Sequence, residues 1–261
     1  MIPMNMVTPP PDLAAISALQ SKLVSALRPI LPEHALLWEP EDTIPYECDG
    51  LAAYKRMPLA VALPETEDQA AKIIKICFEM QIPVVPRGSG TGLSGGAMPI
   101  SQGLVLSLAK LKKIISIDPF TRTAVVQPGV RNLAISEAVA HLGLYYAPDP
   151  SSQIACSIGG NVNENSGGVH CLKYGLTLHN VLRVRGILMN GEIVEFGSLA
   201  PDSPGLDLLA IVLGSEGMLA VVTEVTVKLV AKPKLARVIM ASFDAVSYTH
   251  LRAHETPEHL V

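Results

Sequence analysis

The chain predicts an α+β domain built from two subdomains, and three observations carry that expectation. Its hydrophobic share is 49 % against 17 % charged residues, enough to bury a sizeable core, and with 4 % aromatics that core must be mostly aliphatic. Short helix and strand patterns alternate over roughly the first hundred residues, whereas later segments read as short strands joined by turns. Asn190-Gly191, the strongest short hairpin signal, sits between two strand patterns in that later part. No internal repeat of useful period appears.

Taken in order, Asp12 is placed to cap a helix whose apolar positions Leu13, Ile16, Leu19, Leu23 and Leu27 step by three and four. Pro29 and Pro32 end it, and it is expected to pack on the outside of the domain without chemistry. Residues 59–63 read as a buried strand. Thr66 with Gln69 forms a capping box for a helix running to Met80. A strand from Ile82 delivers the chain to Pro86. Residues 104–108, 114–117 and 123–127 follow as strands. Arg131 or Asn132 then opens a helix to Leu142, with Leu133, Ala134, Ala138, Val139 and Leu142 on one side. Strands are predicted over 181–189 and 192–196, a short helix over 207–213, and a long strand over 218–229. Residues 236–243 begin another strand pattern, which then stops. Residues 246–256 resemble the conceptual translation of a transposase-type sequencing adapter, so 246–261 are expected to be a non-native tail, outside any fold reasoning.

Two glycine-rich blocks dominate the chemistry: Pro86-Arg87-Gly88-Ser89-Gly90-Thr91-Gly92-Leu93-Ser94-Gly95-Gly96 and Ser157-Ile158-Gly159-Gly160-Asn161-Val162-Asn163-Glu164-Asn165-Ser166-Gly167-Gly168. Glycine lets backbone approach a ligand closely, and successive N–H groups in such turns make concave anion sites. Two such surfaces in one fold suggest one long ligand gripped twice, for which a dinucleotide is the natural candidate. Gly90-Thr91-Gly92-Leu93-Ser94-Gly95 fits G-x-G-x-x-G, but that fingerprint needs a helix opening at its end, and Pro99 and Gly103 would break one. No Gly-Lys-Ser/Thr closes a Walker loop, and Gly214-Ser215-Glu216-Gly217 is not a G-x-S-x-G nucleophile turn.

The remaining composition narrows the function classes. The net charge is −4 and the longest basic run is Lys112-Lys113, which argues against nucleic acid as the main partner. Residues 1–11 lack the basic and apolar regions of a signal peptide, and no stretch of about twenty uncharged apolar residues predicts a membrane span. Cys48, Cys77, Cys156 and Cys171 show no C-x-x-C pairing, so no metal or iron–sulfur ligation by this chain is expected, and buried free thiols are the simplest reading.

Six segments in order carry a family resemblance: Pro45-Tyr46-Glu47-Cys48-Asp49-Gly50, Pro86 to Gly92, Tyr146-Ala147-Pro148-Asp149-Pro150-Ser151-Ser152, Ile158-Gly159-Gly160-Asn161, Lys173-Tyr174-Gly175 and Gly214-Ser215-Glu216-Gly217. Together they resemble the FAD-binding domain of the vanillyl-alcohol oxidase/p-cresol methylhydroxylase superfamily. Within it they are most similar to the branch holding the glycolate oxidase flavin subunit and the D-lactate and D-2-hydroxyglutarate dehydrogenases. The resemblance implies a two-subdomain FAD-binding fold, with an N-terminal helix and lead-in over 1–50, the FAD-binding domain over 51–233, and the start of a truncated substrate (cap) domain over 234–245.

It also implies how the residues divide the cofactor. Pro86, Arg87, Gly88, Ser89, Gly90, Thr91, Gly92, Ser94 and Gly95 would hold the pyrophosphate, with Arg87 open to either a phosphate or a neighbouring acid. Pro148, Asp149, Ser151, Ser152, Gly159, Gly160, Asn163, Gly167, Gly168 and Tyr174 would surround the isoalloxazine and ribityl chain. Asn163 and Asn165 are alternatively turn residues, and Tyr174 a core tyrosine. Glu216, Gly217 and Val221 would meet the adenosine portion. The family usually has glycine where Ala220 stands, which puts contacts near Val221 in doubt if that backbone needs φ > 0. FAD is expected to be noncovalent, because residues 93–97 lack the tethering histidine of some relatives. The implied reaction removes hydride from the α-carbon of a 2-hydroxy acid to flavin N5. A non-catalytic flavin-binding module and a D-lactate dehydrogenase are the alternatives. The residues that clamp the substrate carboxylate and handle its proton are expected in the cap domain. None of those motifs is present, so the chain is expected to bind flavin and turn over little, and His170 and His179 are expected to be structural. Companion flavin and iron–sulfur subunits, and a cytoplasmic location, peripheral at the inner membrane face, complete the expectation.

Overall fold

The computed structural model describes residues 13–200 and 205–235; the expected cap at Asp12 and the strand pattern at 236–243 lie outside them. The fold belongs to a unit spanning Met1–Ala231, and a second unit, Lys232–Val261, is described only over 232–235.

The first half holds α1 (Leu13–Leu27), β1 (Leu36–Leu37), α2 (Pro40–Thr43), β2 (Ala60–Ala62), α3 (Glu67–Glu79), β3 (Val84–Arg87) and β4 (Leu104–Ser107). Its sheet runs β1-β2-β4-β3, with β2 and β3 both parallel to β4 and β1 antiparallel to β2. Every residue of β2 and β4 is buried, as parallel strands covered on both faces must be. α1 and α3 supply the cover: Leu23, Val24 and Leu27 join Ala70, Ile73, Ile74 and Cys77 in one core. Gln20 Nε2 donates to the carbonyls of Trp38 (3.1 Å) and Leu59 (2.7 Å), tying α1 to the sheet. At the start of α3, Thr66 Oγ1 accepts from Gln69 N at 3.2 Å. The return bond differs from a capping box, since Gln69 Oε1 takes the N–H of Glu65.

β3 and β4 are parallel neighbours, so the chain must travel from the end of one to the start of the other. Parallel neighbours need a crossover of a dozen or more residues, usually a helix. Here residues 88–103 make it without any helix. The first glycine block is that crossover, released at the carboxyl end of β3.

The second half holds β5 (Ile114–Asp118), β6 (Thr123–Val126), α4 (Asn132–Val139), β7 (Leu144–Tyr145), α5 (Ile158–Glu164), α6 (Cys171–Tyr174), β8 (Val181–Ile187), β9 (Ile193–Gly197), α7 (Leu208–Val212), β10 (Val221–Lys228) and β11 (Val230–Ala231). Five strands form an antiparallel sheet ordered β5-β6-β10-β8-β9, and β11 pairs with β7. The Asn190-Gly191 hairpin closes as expected: Ile187 faces Ile193, and Gly191 has φ +86°. A second aliphatic core gathers Val126, Ile135, Ile158, Val162, Val184 and Val225 beneath this sheet. The α+β fold with two subdomains is therefore what the chain adopts.

Three elements depart from the sequence expectation. The helix expected to Leu142 leaves α-geometry after Val139 and finishes as a 3₁₀ turn, closed by Gly143 at φ +67°. The strand expected from Met218 starts only at Val221, because Gly214, Glu216 and Gly217 all have positive φ and Met218 N bonds back to Ser215 O at 3.0 Å. The second glycine block is in large part the helix α5, where an exposed loop surface was expected.

A polar strut ties the two halves together. Glu67, at the first turn of α3, receives Arg185 of β8 through Nε (2.9 and 3.1 Å) and Nη2 (3.0 Å), and Thr223 Oγ1 of β10 at 2.6 Å. Burial pushes the Glu67 carboxyl upward, but the bonds from Arg185 and Thr223 and the Arg185 charge outweigh it and leave its pKa lowered.

Candidate functional site

Both glycine blocks line one cleft, of about 120 Å³. Gly88 to Gly92 form one wall, and Ser157, Gly160, Asn161 and Glu164 form the other. Those last four positions follow the i, i+3, i+4, i+7 spacing that puts residues on one helix face, which is why α5 presents them together. A larger, mostly apolar hollow of about 460 Å³ adjoins it, walled by Val84, Ile187, Met189 and the 216–221 turn and strand. Pro86, Gly96 and Glu216 line both, so the two make one elongated crevice between the subdomains.

The blocks are fastened to each other. Ser157 Oγ accepts from Ser89 N at 3.3 Å, and a Cβ on Gly88 would collide with that hydroxyl. Ser94 Oγ donates to Glu164 Oε2 at 3.0 Å. The 214–217 turn is hung on α5 by Gly214 N to Val162 O (3.0 Å) and Glu216 N to Asn163 O (2.9 Å). Glu164 Oε1 and Glu216 Oε2 converge near Gly96, at 3.2 and 3.3 Å from where its Cβ would stand. Carboxylates there accept hydroxyl or amine donors and disfavour a phosphate, whereas the Gly88–Gly92 backbone offers N–H donors without charge.

Of the residues read from the sequence, Pro86, Gly88, Ser89, Gly90, Thr91, Gly92, Gly95, Ser152, Gly160, Asn163, Glu216, Gly217 and Val221 line the crevice. The others do not line it. Arg87 was open between a phosphate and an acid, and its guanidinium turns into the protein. Nη1 donates to Cys48 O at 2.7 Å, the group lies 5.6 Å over the Tyr46 ring, and a Cβ on Gly90 would strike it. Burial lowers its pKa, against the neighbouring Asp49, Cys48 and Tyr46, which raise it. Gly159 packs on Pro128, with 2.5 Å between a hypothetical Cβ and the proline Cβ, and Gly168 abuts the Asp149 carbonyl. Gly167 packs on Leu176 and Cys171. Pro148 O accepts from buried Asn132 Nδ2 (2.8 Å), and Asn132 Oδ1 accepts from Asn161 Nδ2 (2.9 Å), which ties the 148–152 turn to α5. Ser94 is held on Glu164, Ser151 is exposed, and Asp149 and Tyr174 belong to a cluster at His170. His179 Nδ1 accepts from Leu176 N at 3.1 Å, a local backbone cap. Ala220 is absent from the non-glycine residues with positive φ, so its methyl sits without strain at the crevice edge.

Sequence reasoning missed Ser157, Asn161, Glu164 and Ser166, together with the apolar hollow. The helical spacing of the first three was visible, but Gly159 and Gly160 hid it. The hollow draws on four separated segments, and nothing local announces it. Of the thiols, Cys77 and Cys156 are buried, and Cys48 and Cys171 half-buried; burial pushes the Cys77 thiol up to about 12.

FAD meets a crevice with matching features. Asn163 Oδ1 is buried without a partner on a residue that lines the cleft, where a ligand's hydroxyls or amine would satisfy it. Gly90 (φ +67°) and Gly95 (φ +82°) give the crossover its concave shape. No helix among the described residues is long and apolar enough to cross a membrane.

Comparison with known proteins agrees with this geometry. Glycolate oxidase subunit GlcD of Escherichia coli (strain K12) is 59 % identical over 227 residues, covering 87 % of this chain and 46 % of that protein. The protein of the same name in Bacillus subtilis (strain 168) is 46 % identical over 202 residues, covering 77 % and 43 %. The chain therefore spans about half the length of the curated relatives it matches. Among solved structures, alkyldihydroxyacetonephosphate synthase superposes with a TM-score of 0.74 at 21 % identity, over 90 % of this chain and 43 % of that one, a likeness of fold. The family described as FAD binding domain matches residues 58–197, more than half of the chain and the span holding both glycine blocks. The chain belongs to that FAD-binding domain family, and its cofactor is FAD.

Proposed function

We propose that the chain is the FAD-binding part of a 2-hydroxy acid dehydrogenase of the glycolate type, holding its flavin noncovalently. The observation that carries the reading is the single crevice shared by two glycine blocks. The backbone of Gly88–Gly92, with the hydroxyls of Ser89 and Thr91, holds the pyrophosphate. The apolar hollow beside Val84, Gly217 and Val221 takes the adenine, and Glu216 accepts from ribose hydroxyls. Asn163, Gly160 and Ser152 meet the ribityl chain and the near edge of the ring. FAD, when bound, supplies the two-electron acceptor for hydride leaving the α-carbon of a small 2-hydroxy acid, which becomes a 2-oxo acid. The protein's own contribution is to fix that acceptor between two rigid sheets and keep bulk water from the apolar end of the crevice. Gly159, Gly167, Gly168 and Arg87 shape the walls.

The strong similarity to proteins called glycolate oxidase subunits supports a chain that works with companions, here flavin and iron–sulfur subunits. The reading places such an assembly in the cytoplasm, peripheral at the inner membrane face. The purified chain should be yellow, and acid should release its flavin with FAD absorbance. A colourless, folded protein that ignores added FAD would refute the reading. Bleaching on addition of glycolate or D-lactate would show turnover and overturn the expectation that the substrate-handling residues lie in the cap domain.

A further inference from the structure

One sequence motif has no place in the crevice lining. Residues 45–50 lie outside it, yet they pack on the back of the first glycine block. A Cβ on Gly50 would stand 2.7 Å from Gly92 O and 2.9 Å from Thr91 O. Gly50 is not among the glycines with positive φ, so close approach is what requires glycine there. The Thr91–Gly92 peptide is trans, and its N–H therefore points opposite to the carbonyl that meets Gly50. The N–H groups of Gly90, Thr91 and Gly92 have no acceptor among the described residues, and all three residues line the cleft.

Arg87 ties this backing to the loop. It is the last residue of β3, and its carbonyl accepts from Leu108 N at 2.9 Å. Its Nη1 donates to Cys48 O at 2.7 Å and reaches Ala97 O at 3.5 Å. The guanidinium lies 5.6 Å over the Tyr46 ring, and a Cβ on Gly90 would stand 2.6 Å from its Cζ. One planar group thus touches the lead-in at Tyr46 and Cys48 and the crossover at Gly90 and Ala97. Burial lowers the Arg87 pKa, and the nearby Asp49 carboxylate works against it. Asp49 is 7 % exposed and is fixed through Oδ1, which accepts from Leu51 N at 2.8 Å. Arg56 N and Lys55 Nζ anchor the same segment through Glu47 O (2.8 Å) and Glu47 Oε1 (2.6 Å).

We propose that Arg87 is a positioning residue for the cofactor that acts from behind the loop. Backed by residues 46–50, it holds Gly90, Thr91 and Gly92 so that their N–H groups meet the FAD pyrophosphate. The inference rests on the reading that this loop takes the pyrophosphate, and adds what sets the loop's shape. Arg87 acts through Cys48, Gly90 and Ala97 and touches no phosphate. Its role needs geometry as well as charge. A lysine keeps the charge, but its amine cannot bond Cys48 O while also lying flat between Tyr46 and Gly90.

The test compares R87M, R87K and Y46L with the parent chain by three readouts. These are FAD Kd by titration, the ³¹P resonances of bound FAD at saturation, and the amide resonances of Gly90, Thr91 and Gly92 without FAD. FAD should bind about tenfold more weakly to R87M, and about threefold more weakly to R87K and to Y46L. The bound pyrophosphate resonances should shift in R87M and return part-way in R87K, a signature that a loss of overall stability does not produce. The flavin-free amides should shift in all three variants. Unchanged Kd and ³¹P resonances in R87M, or an R87K that matches the parent in both, would overturn the proposal. Should R87M fail to fold, R87K and Y46L carry the same question, and unchanged Kd and amides in Y46L would overturn it. A parent chain that refuses FAD while its loop amides still answer to R87K and Y46L would overturn the pyrophosphate reading, with the loop still shaped from behind by Arg87.

Discussion

The two glycine blocks are both rich in glycine but put it to different physical uses. The first is a helix-free crossover between parallel strands, and its glycines serve backbone shape: Gly90 and Gly95 stand at positive φ. The second is mostly helix, and its glycines serve proximity: Gly159 lets α5 lie on Pro128, and Gly168 lets its loop lie on the Asp149 carbonyl. Substitution should therefore act on ligand affinity in the first block and on folding stability in the second.

Gly159→Ala is the largest expected effect. Its methyl would stand 2.5 Å from Pro128 Cβ and 3.1 Å from that residue's backbone. Overpacking of a buried site costs about 1–3 kcal/mol, and the helix gain from alanine returns less than about 1 kcal/mol. A net loss near 2 kcal/mol, lowering Tm by about 4–8 °C, is expected. The folded fraction should still titrate with FAD at nearly unchanged Kd. A variant with unchanged Tm and weakened FAD binding would reverse the assignment of this block.

Gly90→Ala sharpens the other side. An L-residue at φ +67° carries roughly 1–2 kcal/mol of strain, and the new methyl would displace the Arg87 guanidinium. A solvent-facing loop escapes such strain by rearranging, so Tm should fall by only about 2 °C while FAD Kd rises about tenfold. Equal losses in both measurements would show that the crossover is as rigid as the helix.

Glu67→Gln asks what keeps the two blocks facing each other. The carboxylate joins α3 to β8 and β10, and Arg185 retains Glu195 at 3.1 Å when Glu67 is neutralised. The loss should be about 1 kcal/mol, with a modest fall in FAD affinity from both walls at once. The sign follows from the lowered Glu67 pKa. The unfolded carboxyl titrates near its ordinary value, 4.5, so this contribution is present above that pH and is lost as pH falls through the lower folded value. Between pH 7 and pH 4, Tm of the parent protein should drop more than Tm of Glu67→Gln. Parallel pH curves would remove Glu67 from the strut.

Much of the fold was readable because it is local. Thr66 with Gln69, the Asn190-Gly191 turn and the proline stops after Leu27 each act within a few residues. The long-range order was not: nothing near Val221 announces that β10 lies between β6 and β8, or that a helix runs through Gly159 and Gly160. The crevice was half visible for the same reason. The glycine loop declared itself, while Arg87, which resembles a phosphate ligand in sequence, is claimed by Cys48 O and Tyr46 from a segment some forty residues away. Burial of a long cationic side chain is decided by what the chain folds beside it.

Glu216 is the smallest and most discriminating case, because it combines both uses of glycine in one residue that is not glycine. It holds φ +53° between Gly214 and Gly217, both also at positive φ, in the turn that lines both hollows. Left-handed geometry costs an L-residue roughly 1–2 kcal/mol, and a glycine there would forfeit about 0.4–1 kcal/mol through its freer unfolded state. Glu216→Gly should therefore stabilise the fold by about 0.5 kcal/mol, a rise in Tm of about 1–2 °C. A strained residue retained at a ligand crevice points to a task for its side chain. FAD Kd should accordingly rise several-fold in Glu216→Gly, and Glu216→Gln, which keeps an acceptor oxygen, should recover part of it. If Glu216→Gly stabilises the fold and leaves Kd unchanged, the carboxylate has no part in holding the cofactor, and the adenosine end of the crevice is recognised by shape and backbone alone.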